Sequence, residues 1–350
     1  MRRLVTSVLL VSLAAIAPAC SSETFATATS LDGGTGDSGS VDGGPDANAD
    51  ACATPPCTPP TPGEVVTVVT GQGGVDGLVV TPTVVAWATP FGARTCPLTG
   101  ACPQPFTLLE TQLVGTLAAT GEGLFMPDVN GASGVIQCTT GQRCTGGTIG
   151  NSLGDLHALV ADGKDTFVID AQAPRIAHCD TPTGCGSTWQ TLGTGLVNQG
   201  SALAVTATRL FWTLPSGANG AVFSCLRSGC APSPFATAQA NPRRLAADSK
   251  SVFWTNYDDG SVWGCPLEGC AAAAKPIATG QNAPLPIATD GAHVYWATYA
   301  SGTLMRCEAE GCVTPILLAS GLTNPTAIAL SSTDVYVAST IGGTVVKIAK

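Results

Sequence analysis

The chain has 350 residues, enough for one large domain or two ordinary ones with a sizeable buried core. Hydrophobic residues make up 44% and charged residues only 11%, and Gly 42 with Pro 25 disfavours helical bundles and α/β enzymes while favouring many short strands joined by tight loops. The net charge is −9, and after residue 51 there is no basic cluster beyond Arg243-Arg244, which excludes the basic stripe that nucleic-acid binding needs.

The chain starts with Met1-Arg2-Arg3 and an apolar run from Leu4 to Ala17, too short for the roughly 20 residues of a spanning helix and right for a signal peptide over residues 1–19. Ala17-Pro18-Ala19-Cys20 then resembles the lipobox of bacterial lipoproteins. That resemblance implies a diacylglyceryl group on Cys20, which becomes the first mature residue and ties the protein to the cell envelope by its lipid alone.

Residues 20–51 are rich in Ser, Thr, Gly, Ala and Asp, with Phe25 as the only aromatic and no Lys or Arg. Such a segment cannot bury enough apolar surface to fold and reads as a tether. Its aspartates at 32, 37, 42, 46 and 50 do not have the alternate-residue spacing of a calcium loop. Gly36-Asp37-Ser38-Gly39 matches a protease nucleophile motif by composition only, since a serine needs a fold that supplies its base and oxyanion hole. A flexible segment of about 30 residues spaces the folded part from a membrane by roughly 30 Å.

From residue 78 onward the chain repeats with a period near 42, most plainly from Leu203, Leu245 and Ile287. Each copy holds four short apolar runs separated by turn signals: four strands, one propeller blade. Fainter copies start at Leu78, Leu117, Leu159 and Ile328, marked by Trp87, Phe125, Phe167 and Tyr336 in the second strand. The last copy lacks a fourth run, whereas Val65 to Thr70 is an orphan run ahead of the first. Pairing that run with the last blade would remove two raw sheet edges, so the prediction is an all-β, seven-bladed β-propeller over residues 52–350, closed by its N-terminal strand.

Phe253-Trp254-Thr255-Asn256, Phe211-Trp212-Thr213 and Tyr295-Trp296-Ala297 resemble the YWTD repeats of lipoprotein-receptor propellers and, more loosely, NHL-type propellers. The resemblance implies the fold over about 290 residues; its families bind proteins, sugars or small molecules through different loops. The YWTD aspartate is missing from every copy, and seven blades stand where that family has six.

Fifteen cysteines divide into Cys20 and seven close pairs: Cys52 and Cys57, Cys96 and Cys102, Cys138 and Cys144, Cys179 and Cys185, Cys225 and Cys230, Cys265 and Cys270, Cys307 and Cys312. Each pair brackets a hairpin turn, where Cα atoms about 4.5–5.5 Å apart suit a disulfide, and export supplies the oxidant. Zinc is the rival reading, but it needs four converging ligands and the turns of neighbouring blades diverge.

Candidate chemistry is sparse. The first strands, which line a propeller's channel, are small and apolar, as in Leu78-Val79-Val80 and Leu245-Ala246-Ala247. Asp162, Asp248 and Asp290 fall in the turn after a first strand, where an aspartate usually bonds its own backbone. His157, His178 and His293 occupy different slots, and none has an evident nucleophile partner. Trp212, Trp254 and Trp296 read as inter-blade core.

The most polar loops lie opposite the disulfide hairpins and offer Arg243, Arg244, Tyr257, Asp258, Asp259 and Tyr299 as a candidate binding face; a merely solvated rim is the competing reading. The sequence thus predicts a monomeric, non-catalytic binding or envelope-scaffold module for protein or polysaccharide, without cofactor, catalytic residue or metal. The alternative is a propeller hydrolase or lyase with a metal at the channel mouth.

Overall fold

The computed structural model describes residues 63–350 apart from 100–101, 103, 111–115, 121–122, 129–133, 139–143, 145–147, 150–152, 164, 181–188, 195–200 and 271–274. The expected signal peptide, the tether, Cys20, Cys52, Cys57 and Cys185 lie outside the described residues. Residues 60–98 with 102–350 form one compact unit; of the other, residues 1–59 with 99–101, only Thr99 is described.

Seven antiparallel sheets follow one another along the chain. A first strand, β1 (Val65–Val69), precedes blade 1, which holds β2 (Gly77–Val80), β3 (Val84–Thr89), β4 (Gly92–Pro97) and β5 (Phe106–Leu109). Blade 2 holds β6 (Ala118–Thr120), β7 (Gly123–Asp128), β8 (Gly134–Cys138) and β9 (Thr148–Ile149). Blade 3 holds β10 (Leu156–Asp162), β11 (Asp165–Asp170), β12 (Arg175–Asp180) and β13 (Gln190–Thr194). Blade 4 holds β14 (Ala202–Val205), β15 (Arg209–Leu214), β16 (Gly220–Leu226) and β17 (Gly229–Gln239). Blade 5 holds β18 (Pro242–Ala247), β19 (Ser251–Asn256) and β20 (Ser261–Pro266). Blade 6 holds β21 (Pro284–Thr289), β22 (His293–Thr298), β23 (Thr303–Glu308) and β24 (Ile316–Ala319). Blade 7 holds β25 (Pro325–Leu330), β26 (Asp334–Ser339) and β27 (Thr344–Ala349), to which β1 adds the fourth strand.

The first strands of successive blades touch in ring order, and β25 touches β2, so the unit is a closed seven-bladed β-propeller. Closure is by the expected strand pairing, with Val65 opposite Ile348, Val66 opposite Lys347 and Thr67 opposite Val346. Without β1 the β27 edge would present unpaired backbone groups to any passing strand.

The second strands explain why the sheets stack. Each is covered on both faces by neighbouring blades, so apolar residues run continuously instead of alternating with polar ones. Val252, Phe253 and Trp254 of β19 are 0%, 1% and 0% exposed, and Tyr295 and Trp296 of β22 are both 0%. The tryptophans join blades as expected: Trp254 packs with Ala202, Phe211 and Val222 of blade 4, and Trp296 with Phe253 and Val262 of blade 5. Gln239 Oε1 accepts from Trp254 Nε1 at 2.8 Å, and Gln281 Oε1 accepts from Trp296 Nε1 at 2.9 Å, so these two indole donors are satisfied in the core, whereas the buried Nε1 of Trp87, Trp189 and Trp212 has no hydrogen-bond partner among the described residues.

Two details depart from a uniform repeat. Among the described residues blade 5 has three strands, and of its expected fourth a bridge between Val262 and Ala278 is formed; Pro276, just ahead of it, has no N–H to give a ladder. Blade 4 has an eleven-residue fourth strand, β17, which contains Pro232 and Pro234 and takes three register shifts against β16. As the outermost strand it tolerates prolines that a central strand would not.

Five of the expected disulfides are formed between described residues: Cys96–Cys102, Cys138–Cys144, Cys225–Cys230, Cys265–Cys270 and Cys307–Cys312, with Cα separations of 4.8 to 5.7 Å. Cys179 is disulfide-bonded as well. The bridges close third-to-fourth-strand hairpins, where they tie the outer strand of a blade to its neighbour.

Candidate functional site at the channel mouth

Antiparallel order divides the turns between two faces. The first-to-second and third-to-fourth turns, with the disulfides, lie on one; the second-to-third turns and inter-blade connections lie on the other.

On the disulfide face, Asp248 Oδ1 accepts from the backbone N–H of Lys250 and Ser251, both at 2.8 Å, and Asp290 Oδ1 from those of Ala292 and His293 at 3.1 and 2.8 Å. These are the expected self-bonding turns. Asp162 departs from that expectation: its Oδ2 receives Arg227 Nη1 of blade 4 at 2.6 Å. Arg227 also bonds Asp165 through Nη2 and lies 5.1 Å over the Phe167 ring. His178 Nε2 is 2.9 Å from Asp165 Oδ1, with its ring stacked on Phe167 at 4.8 Å. Burial pushes the Asp165 carboxyl up, but His178 and Arg227 outweigh it and hold the group below its ordinary value. This cluster locks blade 3 to blade 4.

The opposite face carries the residues the sequence singled out. Arg243 is exposed, and its guanidinium carbon lies 5.7 Å over the Tyr257 ring. Asp258 Oδ1 accepts from Asn241 Nδ2 at 2.8 Å, which fixes the turn to the inter-blade connection. Asp259 Oδ1 is taken by Ser261, from its N–H at 2.9 Å and its hydroxyl at 2.6 Å, so much of Asp259's bonding capacity is spent within the turn. Tyr299 holds the matching place in blade 6, where its N–H donates to Ala283 O at 2.9 Å and Asn324 Nδ2 donates to its carbonyl at 3.2 Å.

The backbone builds this face by one recurrent device. Asn241, Ala283 and Asn324 each precede the proline that starts a first strand, and each has a left-handed φ, 59°, 55° and 44°. The kink carries the chain from the outer strand of one blade to the inner strand of the next. Against it sits a turn glycine: a Cβ on Gly260, φ +68°, would stand 2.2 Å from Gln281 O.

Sequence reasoning missed two exposed apolar residues here. Phe91, 69% exposed, and Ile341, 55% exposed, occupy second-to-third turns of blades 1 and 7. With Tyr257 and Tyr299 they give blades 5, 6, 7 and 1 one large apolar or aromatic side chain each on this face. The signal was the turn position itself, filled by different residue types and so not visible as a repeat.

The channel mouth also has a structure that spacing did not reveal. Four first strands carry a register shift near the start: Leu156 to Ala158 in β10, Pro242 to Arg244 in β18, Pro284 to Ile287 in β21 and Pro325 to Ala327 in β25. Bulges re-aim side chains at rims. The re-aimed residues include His157, Arg243 and Thr326, and Asp76 and Ser201 hold the matching places in blades 1 and 4. Ser201 Oγ donates to Arg243 O at 3.0 Å across blades 4 and 5. Thr340 Oγ1 donates to Asp76 Oδ1 at 2.6 Å and lies 3.1 Å from Thr326 Oγ1, across blades 7 and 1. His157 Nε2 is 3.1 Å from Asp155 Oδ2.

Deeper along the same strands the lining is apolar. An open recess of about 330 Å³ is bounded by Leu78, Val80, Ala119, Ala288, Ile328 and Leu330, beside Thr289, whose hydroxyl bonds Asp248 Oδ2 and His293 O. The side chains along this part of the channel are thus mostly apolar, while polar ones gather at the mouth. Among the described residues, no three His, Cys, Asp or Glu side chains gather as a metal site would require.

No protein-family model and no curated protein sequence matches the chain. Its backbone is similar to virginiamycin B lyase from Staphylococcus aureus at a TM-score of 0.64 and 13% identity, over 82% of this chain and 98% of that one. It is similar to the computationally designed Ika8 protein at 0.58 and 14%, over 81% and 98%. A chain of a nidogen/laminin complex aligns at 0.51 and 17%, over 68% of this chain and 97% of that one. Likeness at these identities establishes the β-propeller and nothing about the site.

Proposed function

We propose that the chain is an exported, lipid-anchored propeller that binds protein or polysaccharide in the cell envelope without catalysis. The carrying observation is the face opposite the disulfides, where Tyr257 under Arg243, Tyr299, Phe91 and Ile341 stand on short, backbone-bonded turns of adjoining blades. Aromatic and arginine side chains held on a rigid scaffold bind with little loss of entropy. Hairpin disulfides agree with an oxidising compartment. The Cys20 acyl group and the 20–51 tether are part of the proposal, and the mass of the mature, non-reduced protein tests them.

The test of binding is a pull-down from envelope extract with wild type beside a Tyr257→Ala/Tyr299→Ala double variant. Ligand retained by wild type and lost by the variant supports the reading; equal retention overturns the assignment of the face. A second reading, a hydrolase or lyase with a metal at the mouth, draws on the Asp155–His157 pair at the start of a channel strand. Turnover of an envelope polysaccharide that stops with EDTA would favour it.

A further inference from the structure

Arg243 and Arg244 are adjacent cations at the channel mouth of a chain whose net charge is −9. Arg244 is half-buried, and its guanidinium bonds among the described residues run to two backbone carbonyls, Ser201 O and Arg243 O, each at a long 3.5 Å. A guanidinium offers five donors in a planar fork. Two stretched bonds through one nitrogen leave most of that fork unused. Burial, with the like charge of Arg243, pushes the Arg244 guanidinium below its ordinary value, and Asp76 pulls the other way. An ion held in this manner costs free energy that an incoming anion offsets.

The surroundings narrow the anion's class. Ser201, Thr326 and Thr340 stand at the starts of channel strands or beside them; their hydroxyls donate to Arg243 O, Val75 O and Asp76 Oδ1 and keep lone pairs that can accept from a sugar hydroxyl, and the Tyr257 and Tyr299 turns lie on the same face. Such a mixture suits a ring that carries both hydroxyls and a charge. A polyanion with closely spaced phosphates would need a longer basic track than two residues.

We propose that Arg243 and Arg244 form the carboxylate site of an acidic saccharide, with a uronate carboxylate on the Arg244 fork and sugar hydroxyls on the polar mouth. This rests on the binding reading above and deepens it. Arg243, on the bulge of β18, stands over the Tyr257 ring, while the Arg244 guanidinium reaches toward Ser201 of blade 4, so the pair lies between the turn face and the neighbouring blade.

The test is calorimetric titration of the intact mature protein with oligogalacturonate, its methyl-esterified counterpart and an oligoglutamate peptide. Expected is binding of oligogalacturonate that weakens with salt, is about tenfold or more weaker for the ester, and falls about tenfold in Arg244→Gln. Arg243→Gln, at an exposed position, reads the same site should Arg244→Gln fail to fold. Equal binding of acid and ester, or arginine variants that bind like wild type, overturns the carboxylate site while leaving saccharide binding by the face intact. Binding of oligoglutamate in place of oligogalacturonate overturns the saccharide. Absence of all binding overturns the inference, and the Tyr257→Ala/Tyr299→Ala pull-down then decides separately whether the face binds anything.

Discussion

Lys350 Nζ lies 2.8 Å from Asp290 Oδ2, joining the final residue, which follows β27 of blade 7, to the first turn of blade 6. Tyr295 donates its hydroxyl to the same oxygen at 3.2 Å, and the ammonium sits 5.5 Å from the centre of its ring. Burial acts to raise the Asp290 carboxyl, but Lys350 and the turn N–H groups prevail and bring it from 3.8 to about 2. A folded-state value below the unfolded one gives stability that is present above about 3.8 and is lost as pH falls toward about 2.

Asp290→Asn should therefore cost at most about 2 kcal/mol at neutral pH and progressively less toward pH 2. Urea titrations of wild type and variant across that range check the convergence. A constant gap would mean that Asp290 acts through its turn bonds, not its charge.

Gln239→Ala should destabilise by about 2–4 kcal/mol, because Gln239 Oε1 receives Trp254 Nε1 at 2.8 Å and Asn256 Nδ2 at 2.9 Å in buried surroundings. Chemical denaturation gives the loss. Trp254 fluorescence should change in the folded state, since its indole N–H loses an acceptor.

Ala283→Asn should stabilise the protein by about 0.5–1 kcal/mol. Ala283 has φ 55° where its counterparts in blades 5 and 7 are asparagines, and alanine pays more than asparagine for left-handed backbone. A rise in melting temperature is the expected readout; no change would mean that the turn relaxes around alanine.

Replacing Cys265 and Cys270 together by serine should cost about 2 kcal/mol or less, the scale set by closing a short loop. Blade 5 is the place to look, since among the described residues its fourth strand is represented by a bridge at Val262 and Ala278. Hydrogen exchange at Ala278 should quicken before global stability changes.

Removal of residues 63–70 should expose the β27 edge and make the propeller self-associate. Size-exclusion chromatography of the shortened chain tests this, and a monomer with unchanged melting would show that closure by β1 is dispensable.

The blades were legible because a propeller repeats its chemistry. Val252-Phe253-Trp254 and Val294-Tyr295-Trp296 are alike since each must fill the same gap between sheets, and the orphan run at Val65 could be matched to β27 by counting strands. The rim was legible only in outline. Arg243 and Tyr257 could be named as candidates, but their contact at 5.7 Å arises between a bulged inner strand and a turn. Phe91 and Ile341 were not found because exposed turn positions vary freely in residue type.

By itself, the sequence determined the number of blades, the strand that closes the ring and the pairing of the five hairpin disulfides between described residues. All three follow from local spacing and from the need to bury apolar runs and cover edges. Tertiary structure alone decided what meets at the channel mouth and between blades. Arg227 reaches Asp162 across 65 positions, and Thr340 reaches Asp76 across 264. Such pairs depend on how bulges and ring closure aim side chains from separate blades, and strand periodicity carries no record of either.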